Sequence, residues 1–197
     1  MLELDLAVFH LVNADATTAP ALLTAARWIS QQLPIAAAGV LLGGLLFGNP
    51  GQCRAIALAL LSMAIAWIGV QWLRHAVPAP RPAQLGLGMQ WIEHAARAGF
   101  PSMHVAAASA LAASLACRPV AGLGPVAAVV AAVVAAASAA LMMWSRVCLG
   151  VHFPSDVLAG LLTGVLAAVA AHGAIGLLGR LPGVPPSLQR QAKVRAP

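Results

Sequence analysis

Residues 125–156, PVAAVVAAVVAAASAALMMWSRVCLGVHFPSD, decide the fold class of this chain. Residues 125–144 are almost entirely apolar, and about 20 such residues cross the hydrocarbon core of a bilayer. A polar connection containing Arg146, His152 and Asp156 follows, and Pro154 then begins a second apolar run that continues to residue 178. The pattern therefore predicts two membrane-spanning helices joined by a short polar segment.

The composition of the whole chain supports the same interpretation. Of its 197 residues, 61% are hydrophobic and 8% are charged, whereas about 25% of the residues in a soluble domain are charged. Further apolar runs, bounded by proline, glycine or charged residues, cover residues 33–48, 55–73 and 101–117. We therefore predict an all-α, integral-membrane helical bundle of five to six transmembrane helices.

The two ends of the chain differ from these apolar runs. In residues 1–13, apolar side chains recur at helical spacing opposite Glu3 and Asp5, which predicts an N-terminal interfacial helix. Residues 20–32 are too few to cross a membrane at about 1.5 Å per residue, so this segment either lies at the interface or extends the next helix. The predicted division is an N-terminal segment, 1–32, a membrane domain, 33–179, and a basic, disordered tail, 180–197.

Charge and cysteine content limit the classes of partner. The net charge is +6, but the eleven basic residues are scattered between apolar runs, which argues against nucleic-acid binding. Cys53, Cys117 and Cys148 show no CxxC or histidine-paired spacing, so we interpret them as packing residues. The acidic N-terminus lacks the basic start and the cleavage site of a secretory signal, and we expect no cleavage there.

The order of the spans predicts that the polar residues share one face of the membrane. Each crossing reverses the side on which the next loop emerges. Counting the crossings brings together Arg74 and Arg81 after the second predicted span, Ser102 and His104 at the third, Arg146 at the fourth, and His152 and Asp156 at the fifth. Ionisable groups at membrane depth are costly, so such a set indicates a functional site.

The remaining basic residues predict which side this face occupies. The shared face keeps only Arg97 once the three arginines of the cluster are set aside. The opposite face receives six basic residues, namely Arg54, Arg118, Arg180, Arg190, Lys193 and Arg195. The positive-inside rule then places the cluster outside the cytoplasm and the tail inside it.

The arginines of the shared face predict a phosphate ligand. A guanidinium group binds phosphate oxygens in pairs, and several together would stabilise the charge of a transferring phosphoryl group. Pro101 is expected at the first helical position, which places Ser102, Met103 and His104 in a first turn with free backbone N–H groups. A helix N-terminus of this kind binds anions.

His152 and Asp156 predict a nucleophile with an orienting carboxylate. Pro154 begins the last span just after His152, so Asp156 falls in its first turn and can reach back to one imidazole nitrogen. The other nitrogen would then face the substrate. His104 is the candidate acid that protonates the leaving oxygen. The alternative is a capping pair that only closes the helix end.

Three motifs in this order resemble the signature of the type 2 phosphatidic acid phosphatase family. They are Arg74-x6-Arg81-Pro82, Pro101-Ser-Met-His104 and Ser145-Arg146-x5-His152-x3-Asp156. The resemblance implies a phosphatase that needs no metal or other cofactor and forms a phosphohistidine, with His152 as nucleophile, Asp156 as its partner and His104 as acid. It also implies that Arg74, Arg81, Ser102, Met103 and Arg146 bind the phosphate. The family usually has lysine at the position of Arg74 and glycine at that of Met103.

Shorter stretches are similar to bacterial undecaprenyl-diphosphate phosphatases. They are residues 6–13, Glu93-His94-Ala-Ala96 and Leu149-Gly-Val-His152. This similarity implies a multi-pass protein of the bacterial inner membrane that binds a polyprenyl diphosphate lipid and releases undecaprenyl phosphate outside the cytoplasm. It implies no oligomeric state, and Gly160-x3-Gly164 is expected to serve packing inside one chain.

Other functions fit the same residues. A phosphatidylglycerophosphate or phosphatidic acid phosphatase, or a lipid phosphotransferase with undecaprenyl diphosphate as donor, would use the same phosphohistidine. An anion transporter could bind phosphate through the arginines without chemistry, although no duplicated half supports it. A cytochrome or metal protein using His104 and His152 would lose activity with a chelator. The vanadium-dependent haloperoxidases share the signature on a soluble scaffold, which this composition does not match.

Overall fold

The computed structural model describes residues 3–93, 97–117, 120 and 123–178. Within these ranges the chain forms helices and no strand, so the all-α prediction is confirmed. The helices are α1 (Glu3–Val12), α2 (Pro20–Phe47), α3 (Pro50–Ala76), α4 (Met103–Cys117), α5 (Pro125–Cys148) and α6 (Pro154–Leu178), with a 3₁₀ turn at Pro82–Leu85. The predicted tail, 180–197, and His94 lie outside the described residues.

Four of these helices, α2, α3, α5 and α6, are long and apolar enough to cross a membrane. The fifth apolar helix, α4, has only 15 residues and packs against α3, α5 and α6. It begins at Met103, so the expectation that Pro101 is its first residue is wrong. Ser102 is instead the residue before the helix, because its carbonyl accepts the first intrahelical hydrogen bond from Ala106 N–H at 3.0 Å.

Two glycines allow α6 to approach α4 closely. A Cβ atom on Gly164 would lie 2.7 Å from the Ala110 nitrogen and 2.8 Å from Ser109 Cβ. A Cβ atom on Gly160 would meet the carbonyl of Ser102 at 2.6 Å. The expectation that these glycines serve packing inside one chain is therefore confirmed, and this packing sets the first turns of α4 and α6 side by side.

Helix α2 decides between the two alternatives for residues 20–32. It is a single helix of 28 residues that continues through Pro34, so the segment extends the next helix and the predicted division after residue 32 falls inside α2. The helix packs mainly against α5. Only Leu23, Ala26 and Ser30 are buried, and their spacing forms a narrow stripe on one face.

Helix α1 lies at the end of the bundle where α5 finishes and α6 begins. Asp5 accepts hydrogen bonds from the backbone N–H and the hydroxyl of Ser155, at 2.8 and 2.7 Å, in the first turn of α6. Phe9 is fully buried and packs against Phe153, with 5.2 Å between the ring centroids. The predicted N-terminal helix is thus present, and it holds the start of the last span.

Candidate active site

A cavity of about 550 Å³ occupies the end of the bundle where α3 and α5 finish and α4 and α6 begin. Its wall contains six of the eight predicted site residues, namely Arg74, Arg81, Met103, His104, Arg146 and His152. The grouping that follows from counting crossings is therefore present in the structure. Ser102 and Asp156 are buried directly behind this wall. We call this space the site cavity.

A tight turn between α5 and α6 places His152 at the site cavity. Gly150 in this turn has a φ of +70°, a left-handed torsion that glycine adopts without a steric penalty. A Cβ atom there would also collide with the carbonyl of Met89. Asn13 fixes the turn from outside, because its side-chain amide donates to the carbonyls of Met89 and Cys148 at 3.0 and 3.1 Å.

The neighbours of the His152 ring assign its tautomer. Nδ1 lies 3.3 Å from Asp156 Oδ2, and the same oxygen accepts the Phe153 N–H at 2.9 Å. Nε2 lies 3.3 Å from Arg81 Nη1. Because an ionised carboxylate only accepts and a guanidinium only donates, the proton sits on Nδ1 and the lone pair on Nε2. The nitrogen of His152 that carries the lone pair, Nε2, is therefore the one that faces Arg81.

Arg81 lies in the loop between α3 and α4, and its side chain contacts two other segments of the site. Its side chain is 3% exposed. The guanidinium donates to the carbonyl of Arg97 at 3.0 Å and to that of Val151 at 2.8 Å. The pKa of Arg81 is lowered to about 10, mainly by burial and also by the charge of Arg74, while the charge of Asp156 opposes the shift. The group remains cationic at neutral pH.

Two more arginines reach the cavity from the ends of their helices. Arg74, in the last turn of α3, donates from Nη2 to the Pro101 carbonyl at 3.3 Å. Arg146, in the last turn of α5, is 2% exposed and donates from Nη1 to the Ser30 hydroxyl at 2.7 Å. Its Nε and Nη2 are buried and have no hydrogen-bond partner among the described residues. These two nitrogens are available to an anion.

The first turn of α4 differs in one respect from the prediction. Met103 and His104 line the cavity, but the N–H of Ser102 already donates to the Asp156 carbonyl at 3.0 Å. The expectation of three free amides is therefore wrong for Ser102, because this residue joins the start of α4 to the start of α6. Ser145, the other serine of the motifs, donates to the Met142 carbonyl of its own helix at 3.0 Å.

The remaining residues of the wall were not among the predicted site residues. Three come from α2 and three from the loop that precedes α4, and they are Ser30, Gln31, Pro34, Ile92, Glu93 and Arg97. In the sequence, the polar pair Gln31 and Gln32 is the feature that could have indicated that α2 borders a polar space. Arg97 had been assigned only to the same face of the membrane.

Residues 55–178 match the family model of the PAP2 superfamily. The chain belongs to the PAP2 superfamily. The Escherichia coli (strain K12) protein named "Putative undecaprenyl-diphosphatase YbjG" is 34% identical over 178 residues, which cover 87% of this chain and 83% of the relative. The family resemblance found in the three motifs is confirmed.

Two solved structures share the fold. The crystal structure of Aquifex aeolicus LpxE superposes with a TM-score of 0.68 at 23% identity, covering 87% of this chain and 96% of that one. The phosphatidylglycerolphosphate phosphatase of PAP2 type from Bacillus subtilis gives a TM-score of 0.71 at 21% identity, covering 90% and 87%. With its four apolar helices, this chain is a membrane protein of the PAP2 phosphatase family.

Proposed function

We propose that this PAP2 protein is a membrane lipid phosphatase that hydrolyses undecaprenyl diphosphate to undecaprenyl phosphate and inorganic phosphate. The chemistry is carried by one observation, the His152 ring, whose Nδ1 faces Asp156 and whose Nε2 faces Arg81 on the cavity wall. The choice of lipid is supported by the similarity to the E. coli relative, whose name describes an undecaprenyl-diphosphatase.

In the first step of the proposed reaction, Nε2 of His152 attacks the terminal phosphorus. A P–N bond forms and the phosphoanhydride P–O bond breaks, so undecaprenyl phosphate leaves while its oxygen takes a proton from His104. Asp156 stabilises the positive charge that develops on the imidazole. His104 suits the role of acid because it lies on the cavity wall in the first turn of α4.

In the second step, water attacks the phosphorus of the phosphohistidine. His104, now neutral, takes a proton from this water, the P–N bond breaks, and inorganic phosphate leaves with His152 regenerated. Arg74, Arg81 and Arg146 would hold the phosphate oxygens through both steps, together with the N–H groups of Met103 and His104. Three guanidinium groups match the charge that spreads over a transferring phosphoryl group. Ser102 would support this cradle from behind the wall.

The experiment that tests the proposal measures phosphate release by the detergent-purified protein from undecaprenyl diphosphate, phosphatidylglycerophosphate and phosphatidic acid, each with and without EDTA. We expect the highest kcat/KM on undecaprenyl diphosphate and the same rate in EDTA, since no proposed step uses a metal ion. A glycerophospholipid preference would reject the lipid assignment, and loss of activity with EDTA would reject the histidine mechanism. Appearance of phosphate on an added lipid alcohol would instead identify a phosphotransferase.

We also propose that the protein lies in a bacterial inner membrane with the site cavity outside the cytoplasm. Helix α2 begins at the cavity end, so Arg27 lies on the same face of the membrane as Arg97. Outside the cluster, the opposite face then has six basic residues and the cavity face has two. Of these eight residues, the structure describes Arg54, Arg27 and Arg97. The direction of the asymmetry is unchanged. A fluorescent protein fused after residue 197 should fluoresce in cells, and an alkaline phosphatase fused there should stay inactive. The opposite pair of results would place the cavity on the cytoplasmic side.

A further inference from the structure

Ser30 is a buried hydroxyl on a helix that otherwise buries almost nothing. It is 3% exposed, and apart from Leu23 and Ala26 it is the only buried residue of α2. A polar group in such a position loses its hydration and needs a hydrogen-bond partner. That partner is Arg146 Nη1, at 2.7 Å and 116 residues further along the chain.

The turn of α2 that carries Ser30 is also more polar than a regular helix. Pro34 has no N–H, so the carbonyl of Ser30 lacks the donor that an α-helix would supply. Ser30, Gln31 and Pro34 all line the site cavity. This turn of α2 is therefore part of the cavity wall and does not only separate the bundle from lipid.

The hydrogen bond from Nη1 selects which edge of the Arg146 guanidinium is presented. The Nε–H and one N–H of Nη2 point to the same side and form the fork that binds two oxygens of a phosphate or carboxylate. Nε and Nη2 are the two nitrogens of Arg146 that have no partner among the described residues. Because Nη1 is hydrogen-bonded to Ser30, a rotation of the guanidinium would break this bond. The fork therefore keeps one direction.

We propose that Ser30 is a positioning residue that fixes the guanidinium of Arg146 so that its Nε and Nη2 bind two oxygens of the terminal phosphate. The proposal rests on the proposed function for the identity of the substrate. It makes α2 a required part of the phosphate site, although α2 contributes neither the nucleophile nor the acid. Ser30 itself does not touch the reacting atoms.

The test compares Ser30→Ala with Ser62→Ala in the full-length, detergent-purified protein. Ser62 is the matched control, because it is fully buried on a neighbouring helix and donates to the Leu58 carbonyl of its own helix. We expect Ser30→Ala to raise the KM for undecaprenyl diphosphate and the inhibition constant of inorganic phosphate about tenfold each, as loss of a hydrogen bond to a charged group does. Ser62→Ala should leave both constants unchanged. Ser30→Thr, which keeps a hydroxyl at this position, should also have the parent values.

A second background separates positioning from a general loss of packing. In Arg146→Lys the charge remains but the fork is absent, so Ser30→Ala should there change the phosphate inhibition constant less than threefold. Equal effects of Ser30→Ala in both backgrounds, or equal effects of Ser30→Ala and Ser62→Ala, would overturn the inference. The rise in unfolding temperature caused by inorganic phosphate gives a readout that needs no turnover. Its loss in Ser30→Ala would support the inference even if the lipid assignment failed.

Discussion

His152→Ala is expected to lower phosphate release from undecaprenyl diphosphate by roughly 10⁴-fold or more. The variant keeps the arginines and the cavity, so it should still bind phosphate, but it lacks the imidazole that is proposed to form the P–N bond. The measurement is single-turnover release of phosphate with the enzyme in saturating excess over the substrate. A phosphoprotein trapped under alkaline conditions in the parent and absent from the variant would identify the intermediate directly.

His104→Ala is the matched control for this prediction. Both histidines line the cavity, but His104 is proposed to protonate the leaving oxygen and then to take a proton from the attacking water, and an activated aryl phosphate does not require the first of these steps. The His104→Ala variant should therefore lose less activity on the aryl phosphate than on the lipid and should still release the aryl alcohol in a first-turnover burst, whereas His152→Ala should show no burst and no turnover on either substrate. Normal turnover by His152→Ala on either substrate would contradict the assignment of the nucleophile.

Asp156→Asn is expected to lower kcat by roughly 10²- to 10⁴-fold and to leave KM almost unchanged. The carboxylate holds the proton of His152 on Nδ1, and its oxygen also accepts the Phe153 N–H at 2.9 Å. An asparagine can keep one of these contacts while its amide donates to Nδ1, which moves the ring proton to Nε2 and blocks attack. Since Asp156 lies behind the cavity wall, substrate binding should not suffer.

Asp5→Asn serves as the control for the loss of charge. Asp5 also contacts the first turn of α6, where its carboxylate accepts two hydrogen bonds from Ser155, at 2.8 and 2.7 Å. This variant should lower the unfolding temperature slightly and change kcat less than threefold, because the two hydrogen bonds that it weakens are exposed. A similar fall of kcat in both variants would show that Asp156 acts by stabilising the helix start and not by orienting the imidazole.

Local patterns were sufficient to predict most of the membrane fold and the members of the cavity wall. Apolar runs of about 20 residues predict the spans. The parity of those spans brings Arg74, His104, Arg146 and His152 to one end without any tertiary information. The prolines near His104 and His152 indicate where the last helices begin, within two residues in the case of α4.

The parts that could not be predicted depend on pairing between distant residues. Nothing in the local sequence distinguishes Ser30 from the other serines as the partner of Arg146, since the two are 116 residues apart. The Ser102 N–H was expected to be free. Its hydrogen bond to the Asp156 carbonyl depends on the close approach of α6 to α4, which Gly160 and Gly164 allow and which the local sequence does not reveal. The sequence also left open whether residues 20–32 extend the next helix, and α2 is in fact continuous through Pro34.

The attachment of α1 also sets an order for biosynthesis. Asp5 is made 150 residues before its partner Ser155, an interval of roughly 8 to 30 s at usual rates of translation. During this interval Phe9 lacks the ring of Phe153, against which it packs in the finished bundle. Helix α1 is thus synthesised well before the segment to which it docks, and His152 joins the other residues of the site cavity only when α5 and the start of α6 have been made.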